Sequence, residues 1–133
     1  MIMKRQSLDT NIILRYVLND IPKQTIVATK LLRKPGTRFF VSDIAFFEFV
    51  YILDGYYSFS RKVIRDTVLN LLQQKNIDCN RELIASTLEQ FVAHNSLSFA
   101  DCYLAASASF MNAVPLWTFD KTLAKQLPAT KLL

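Results

Sequence analysis

An α/β fold is predicted, with three α/β/α layers and a short central parallel sheet covered by helices on both faces. Three features of the 133-residue chain point to it. Short apolar or aromatic runs alternate with longer amphipathic ones. Helical stretches separate the candidate strands, as parallel crossovers require. No repeat, low-complexity tract or linker divides the sequence, so residues 1–133 read as one domain. With 51% hydrophobic and only 20% charged residues, such a chain fills a core and offsets its ordering entropy.

The elements follow in order. Met1 to Leu8 reads as a first strand, interrupted by charge at Lys4 and Arg5. Thr10 to Leu18 places Ile13 and Val17 at helical spacing. Pro22 opens a helix through about Arg33, and Pro35-Gly36 turns the chain. Thr37 to Ser42 is aromatic and β-branched, hence a strand. Asp43 to Leu53 is apolar for too long to be another strand and reads as a buried helix closed by Asp54-Gly55.

Ser60 caps a helix through about Gln74, with Val63, Ile64, Val68, Leu71 and Leu72 toward the core. Ile77 to Cys79 reads as a short strand and Arg81 to Ala93 as a helix. Ser98 begins a helix reaching about Met111, and Val114 to Thr118 is a strand. Asp120 starts a short helix, and Thr130 to Leu133 reads as a last edge strand.

Cys79 and Cys102 make neither a disulfide framework nor a CxxC pair, which predicts a reducing, cytoplasmic setting. Asp9 and Arg15 break the only early apolar run, so no secretory leader is expected. The charge-free stretch between Asp101 and Asp120 holds Ser107, Ser109, Asn112 and Pro115, and reads as helix then strand, not as a membrane span. The net charge of +5 is a modest pointer to a polyanionic partner.

The acidic residues sharpen that pointer. Asp9, Asp43 and Asp120 each stand between a candidate strand and a helix, at the carboxyl edge where open parallel sheets bind ligands. Asp101 lies in the first turn after Ser98. Each has a plain structural role open to it: Asp9, Asp43 and Asp120 as N-caps, and Ser98 to Asp101 as a capping box. Glu48 is different, being the only charge between Asp43 and Asp54 in a helix predicted to be buried. A buried carboxylate needs a partner, here either an Arg or Lys, or a cation or bound water.

If Asp9, Glu48, Asp101 and Asp120 meet at one sheet edge, they need a cation or raised pKa values. An all-carboxylate oxygen set suits Mg²⁺ or Mn²⁺. Zinc is disfavoured with one His and two distant Cys. Setting those four of the 11 acids aside leaves seven against 16 basic residues, an acidic pocket on a basic surface that fits a phosphodiester.

Four segments carry a resemblance: Leu8 to Leu14, Val41 to Glu48, Phe99 to Ala106, and Trp117 to Lys121. In order and spacing they resemble the PIN-domain nucleases, and within them the VapC-like toxins of toxin–antitoxin pairs. The resemblance implies a cytoplasmic Mg²⁺- or Mn²⁺-dependent endoribonuclease. Asp9 and Asp101 would ligate metal directly, Glu48 directly or through water, and Asp120 would complete the cluster. Thr118, Asn11 and Ser42 would hydrogen-bond the carboxylates or metal waters. It also implies an RNA substrate, a cognate antitoxin that presents an Arg to the cluster, and a homodimer built through the early helices. Cleavage would proceed by in-line attack of an activated water, releasing the 3′ oxygen and leaving a 5′-phosphate. A cyclic-phosphate route of the paired-histidine type does not suit a chain with one His. Asn112-Ala113-Val114-Pro115 departs from the glycine common in relatives, but Asn also enters the left-handed region.

Other signals are weaker. Tyr56, Tyr57 and Phe59 surround a turn, where they stack on bases, seat an antitoxin or cover the core. Arg61, Lys62 and Arg65 sit at the unfavourable end of a helix for cations, which raises phosphate contact as a role beside the default of a solvated face. His94 reads as a polar residue at a helix end and Cys102 as a small core residue. The competing functions are a housekeeping RNA-processing nuclease of the same family and a non-catalytic binding module whose carboxylates are all caps. A haloacid-dehalogenase-type phosphatase needs an Asp where Asn11 stands, and a receiver domain needs an acidic pair that the early segment lacks.

Overall fold

Helix starts are set by side chains that satisfy the first free backbone N–H groups. Asp9 caps α1 (Thr10–Val17), Ser42 caps α3 (Asp43–Gly55), and Ser60 caps α4 (Arg61–Leu72). Ser98 caps α6 (Phe99–Phe110) and Asp120 caps α7 (Lys121–Gln126). In α2 (Pro22–Leu32) a proline in the first turn supplies the helical φ instead. The computed structural model describes residues 4–133, so the Met1 to Met3 part of the predicted first strand lies outside the described residues. The described chain separates into two units that divide between Asn80 and Arg81.

The first unit holds a parallel sheet in the order β1 (Lys4–Ser7), β2 (Thr37–Phe40), β3 (Ile77–Asp78). Lys4 to Ser7 run opposite Thr37 to Phe40, and Phe39 opposite Ile77. Helices α1 to α4 supply the connections. Phe39, Phe46, Phe49, Leu53, Ile64 and Ile77 are fully buried, so the aromatic content of β2 and α3 builds this core.

The second unit holds α5 (Arg81–Ala93), α6, α7 and a two-stranded parallel ladder of β4 (Leu116–Thr118) and β5 (Thr130–Leu132). Phe91 and Phe99 meet edge to face at 5.6 Å, and Leu88, Cys102 and Ala105 are buried in this unit. His94 follows α5 and joins Gln126 through Nδ1 at 3.1 Å. Asn112 takes the left-handed conformation at φ 52°, the turn that the sequence predicts there. Among the described residues no helix is long and apolar enough to cross a membrane.

The α/β class and the parallel strand pairing are as predicted, and the elements agree with a three-layer α/β/α architecture. Among the described residues the pairing is recorded as two parallel ladders, β1-β2-β3 and β4-β5. Two expectations need correction. Asp43 does not cap α3; Ser42 does, through a bond from the Ala45 N–H to Oγ at 3.3 Å. Asp43, one residue inside, accepts from Asn80 Nδ2 at 3.1 and 3.2 Å.

Glu48 is exposed, not buried. Only one side of α3 packs inward, through Ala45, Phe46, Phe49, Val50 and Leu53. The outer stripe carries Ile44, Glu48 and Tyr51 at helical spacing, with Ile44 70% and Tyr51 79% exposed. Apolar residues on that outer stripe make the helix look buried all round in sequence.

Candidate active site

Asp9 lies just beyond the carboxyl end of β1, where the Leu8 N–H still donates to the Phe40 carbonyl at 3.0 Å. Its Oδ1 accepts the Asn11 backbone N–H at 3.4 Å, a long capping bond. Thr10, next in chain, is 4% exposed, and its hydroxyl points across to α3. There it reaches Glu48 Oε2 at 3.4 Å and the Ala45 carbonyl at 3.5 Å. The bond is weak by length, yet it sets the Glu48 carboxylate against the start of α1. Glu48 is therefore tied to the start of α1 through Thr10, the chain neighbour of Asp9 and a residue that no motif singles out. Its only signal was a hydroxyl at a position that the Ile13 and Leu14 spacing places inside.

In the second unit, Asp101 and Ser98 form the reciprocal capping box that the sequence predicts. The Asp101 N–H donates to Ser98 Oγ at 3.0 Å, and the Ser98 N–H donates to Asp101 Oδ2 at 3.3 Å. Asp120 Oδ1 accepts the N–H groups of Thr122 at 2.9 Å and Leu123 at 3.1 Å. Thr118 Oγ1 accepts the Asp120 backbone N–H at 2.9 Å, so Thr118 fixes the main chain of Asp120 and not its carboxylate. The Asn11 contact with Asp9 is likewise made by backbone, and Ser42 uses its hydroxyl oxygen as the α3 cap.

Each of the four carboxylates thus has a structural role, and each fulfils it with one oxygen. Among the described residues, Oδ2 of Asp9 and of Asp120, Oδ1 of Asp101 and Oε1 of Glu48 have no protein donor. These four oxygens form a hard donor set that suits Mg²⁺ or Mn²⁺ and offers nothing soft. Two stand in each unit, and among the described residues no group of three or more His, Cys, Asp or Glu side chains could hold a metal ion.

A cavity of about 670 Å³ opens beside Asn11 and Tyr51, lined further by Leu14, Arg15, Asp20 and Tyr57. At its rim Arg15 Nη1 donates to Asp20 Oδ1 at 2.6 Å, and the Tyr57 hydroxyl donates to Asp20 Oδ2 at 2.5 Å. The Tyr57 bond first, and Arg15 second, hold the Asp20 carboxyl below the usual carboxylate range. The same bond from Tyr57 to Asp20 pushes the phenol above its ordinary value. The aromatic turn is thereby split: Tyr57 is a tether, Phe59 is half-buried, and Tyr56 is 81% exposed. Of the basic trio, Arg65 pairs with Asp66 at 3.1 Å, Lys62 is exposed and Arg61 is half-buried.

No curated protein matches the chain. The PIN domain family matches residues 7–126, from the end of β1 to the last residue of α7, across both units. PIN domains are generally metal-dependent nucleases. That match, carried by most of the sequence and by parallel strands joined through helices, places the chain in the PIN domain family.

Proposed function

We propose that the chain is a divalent-metal-dependent endoribonuclease, and that it acts as the toxin of a cytoplasmic toxin–antitoxin pair. The observation that carries the reading is the division of labour within each carboxylate. Asp9, Glu48, Asp101 and Asp120 each use one oxygen for the fold and keep the other available, in the four segments that resemble the family's pattern.

Asp9, Glu48, Asp101 and Asp120 would hold Mg²⁺ or Mn²⁺, which when bound supplies an activated water and neutralises charge on the scissile phosphate. The residues themselves do the rest. Glu48, exposed and steadied by Thr10, would keep Oε1 toward the ion, directly or through a water. Thr118 and Ser42 fix the backbone positions of Asp120 and of the start of α3. Exposed lysines and arginines on a chain of net charge +5 attract the phosphates. The products would be a 3′-hydroxyl and a 5′-phosphate.

The α2 residues Ile26 (56% exposed) and Val27 (68%) support a homodimer through the early helices, since an apolar stripe of this kind is stabilised by a partner surface. A cognate antitoxin with an Arg directed at the carboxylates is the matching inhibitor. The test is cleavage of single-stranded RNA with end-group analysis. The reading expects Mg²⁺-dependent cutting, 5′-phosphate ends, and loss of activity in excess EDTA. Cyclic 2′,3′-phosphate ends, or undiminished cutting in EDTA, would overturn it.

A specific observation favours one alternative. Asp9, Asp101 and Asp120 all cap helices, as a non-catalytic binding module would require. That alternative expects no cleavage by the purified protein at all. A housekeeping RNA-processing nuclease shares the chemistry and is separated from a toxin by its effect on growth when expressed without an antitoxin.

A further inference from the structure

Trp117 in β4 and Phe119 just after it are 54% and 77% exposed, whereas Leu116 and Thr118 between and before them are half-buried. The alternation places both rings on the outer side of the β4–β5 ladder. Lys131 stands opposite Trp117 in the parallel register, and its Nζ lies over the indole at 5.4 Å. The ladder continues beyond the strand through the Leu133 N–H donating to the Thr118 carbonyl at 3.0 Å. The main chain on which Phe119 sits is therefore fixed on both sides, by that bond and by the Asp120 N–H donating to Thr118 Oγ1 at 2.9 Å.

We propose that Trp117, Phe119 and Lys131 form a stacking subsite for an unpaired base of single-stranded RNA, immediately beside Asp120. The proposal rests on the nuclease reading for the choice of RNA as ligand. Residues two apart on an extended chain lie about 6.6 Å apart, close to twice the ~3.4 Å stacking distance, so one base fits between or across the two rings. Aromatic platforms beside cations are the usual means of holding single strands, because every base has a π-face whatever its sequence. Charge separates this ligand from a protein partner. Lys121, Lys125 and Lys131 are all exposed, and Asp120 is the one acid between Asn112 and Leu133. Protein interfaces deplete lysine at their centres, whereas a phosphate backbone attracts it. A duplex hides its base faces and would gain nothing from the rings.

Trp117 is the chain's single Trp, so its emission reports directly on the subsite. The experiment titrates full-length protein with a short oligouridylate in EDTA, which stops cleavage without touching the platform. Saturable quenching of Trp117 emission is the expected result. Phe119→Ala should weaken binding roughly 5- to 100-fold, Phe119→Tyr should retain it, and Lys131→Ala should weaken it and flatten its salt dependence. All three side chains are exposed, and circular dichroism checks that the fold survives. Absence of quenching, equal quenching by duplex RNA, or wild-type affinity in Phe119→Ala would each overturn the subsite. So would a concentration-dependent blue shift without RNA, the sign of a second copy covering the rings. A parallel cleavage assay in Mg²⁺ keeps the two proposals apart. Cleavage without quenching overturns the subsite alone, and quenching without cleavage supports the subsite while overturning the nuclease reading.

Discussion

The Thr10 hydroxyl and the Glu48 carboxylate meet at 3.4 Å across 38 residues of sequence. One end of this contact is buried with the start of α1, and the other stands on the exposed stripe of α3. A surface carboxylate is thereby tied to the start of α1, and the side chain that does it also reaches the Ala45 carbonyl.

Thr10→Val keeps the buried shape and removes the hydroxyl. The lost bond is long and Glu48 remains hydrated, so denaturant unfolding should change by less than about 1 kcal/mol. RNA cleavage should fall by about tenfold, as for loss of a group that orients a metal ligand, and Thr10→Ser should restore much of it. Equal cleavage by wild type and Thr10→Val would remove Thr10 from the site.

Capping and catalysis separate on Asn substitution. Asn accepts the same backbone hydrogen bonds as Asp, so Asp101→Asn and Asp120→Asn should shift stability by no more than about 0.5 kcal/mol. Losing a metal-binding charge should lower cleavage by roughly 100-fold or more. Ser98→Ala reverses the pattern: the cap loss costs about 1 kcal/mol, or about 4 °C in Tm, while the Asp101 carboxylate stays in place. Thermal melts beside cleavage rates on the three variants check this.

The acid limb of stability should carry the Asp20 tether. Its folded carboxyl is held low by Tyr57 and then Arg15. The contribution is therefore present above the ordinary carboxylate value, and is lost as pH falls through the depressed folded one. The Tm gap between wild type and Asp20→Asn should be constant near neutrality and shrink below about pH 4. Tyr57 acts at the other limit: its raised value keeps the donor proton until pH climbs past about 10. A gap unchanged between pH 7 and pH 3 would show that the tether contributes nothing.

The two sides of α3 give a packing test. Phe49 is fully buried and Tyr51 is 79% exposed. Phe49→Ala should cost about 3–5 kcal/mol, and Tyr51→Ala should stay within about 0.5 kcal/mol. Chemical denaturation of both variants decides whether Glu48 shares the outer stripe with Tyr51.

Much of this fold is legible in sequence because its signals are local. Pro22, Ser60, Ser98 and Asp120 mark helix starts by chemistry that acts within four residues, and all four starts stand where predicted. The α3 start stands at Asp43 as predicted, but its cap is Ser42 and not Asp43, since both are good caps and only the backbone decides between them. Glu48 was misplaced for a different reason: composition reports how apolar a helix is, not which stripe faces in. Thr10 was missed because its partner lies in another element, and no local pattern encodes that pairing. The free carboxylate oxygens follow from the same logic, since a cap motif names the residue but not which oxygen it leaves unused.

The central claim is that the carboxylates of Asp9, Glu48, Asp101 and Asp120 bind a divalent ion. Calorimetric titration with Mn²⁺ of wild type, Asp9→Asn and Asp120→Asn tests it without any nuclease assay. Saturable binding by the wild type, weakened tenfold or more by either substitution, is the expected result. Binding of equal affinity in all three proteins, or no binding to the wild type, would contradict the account.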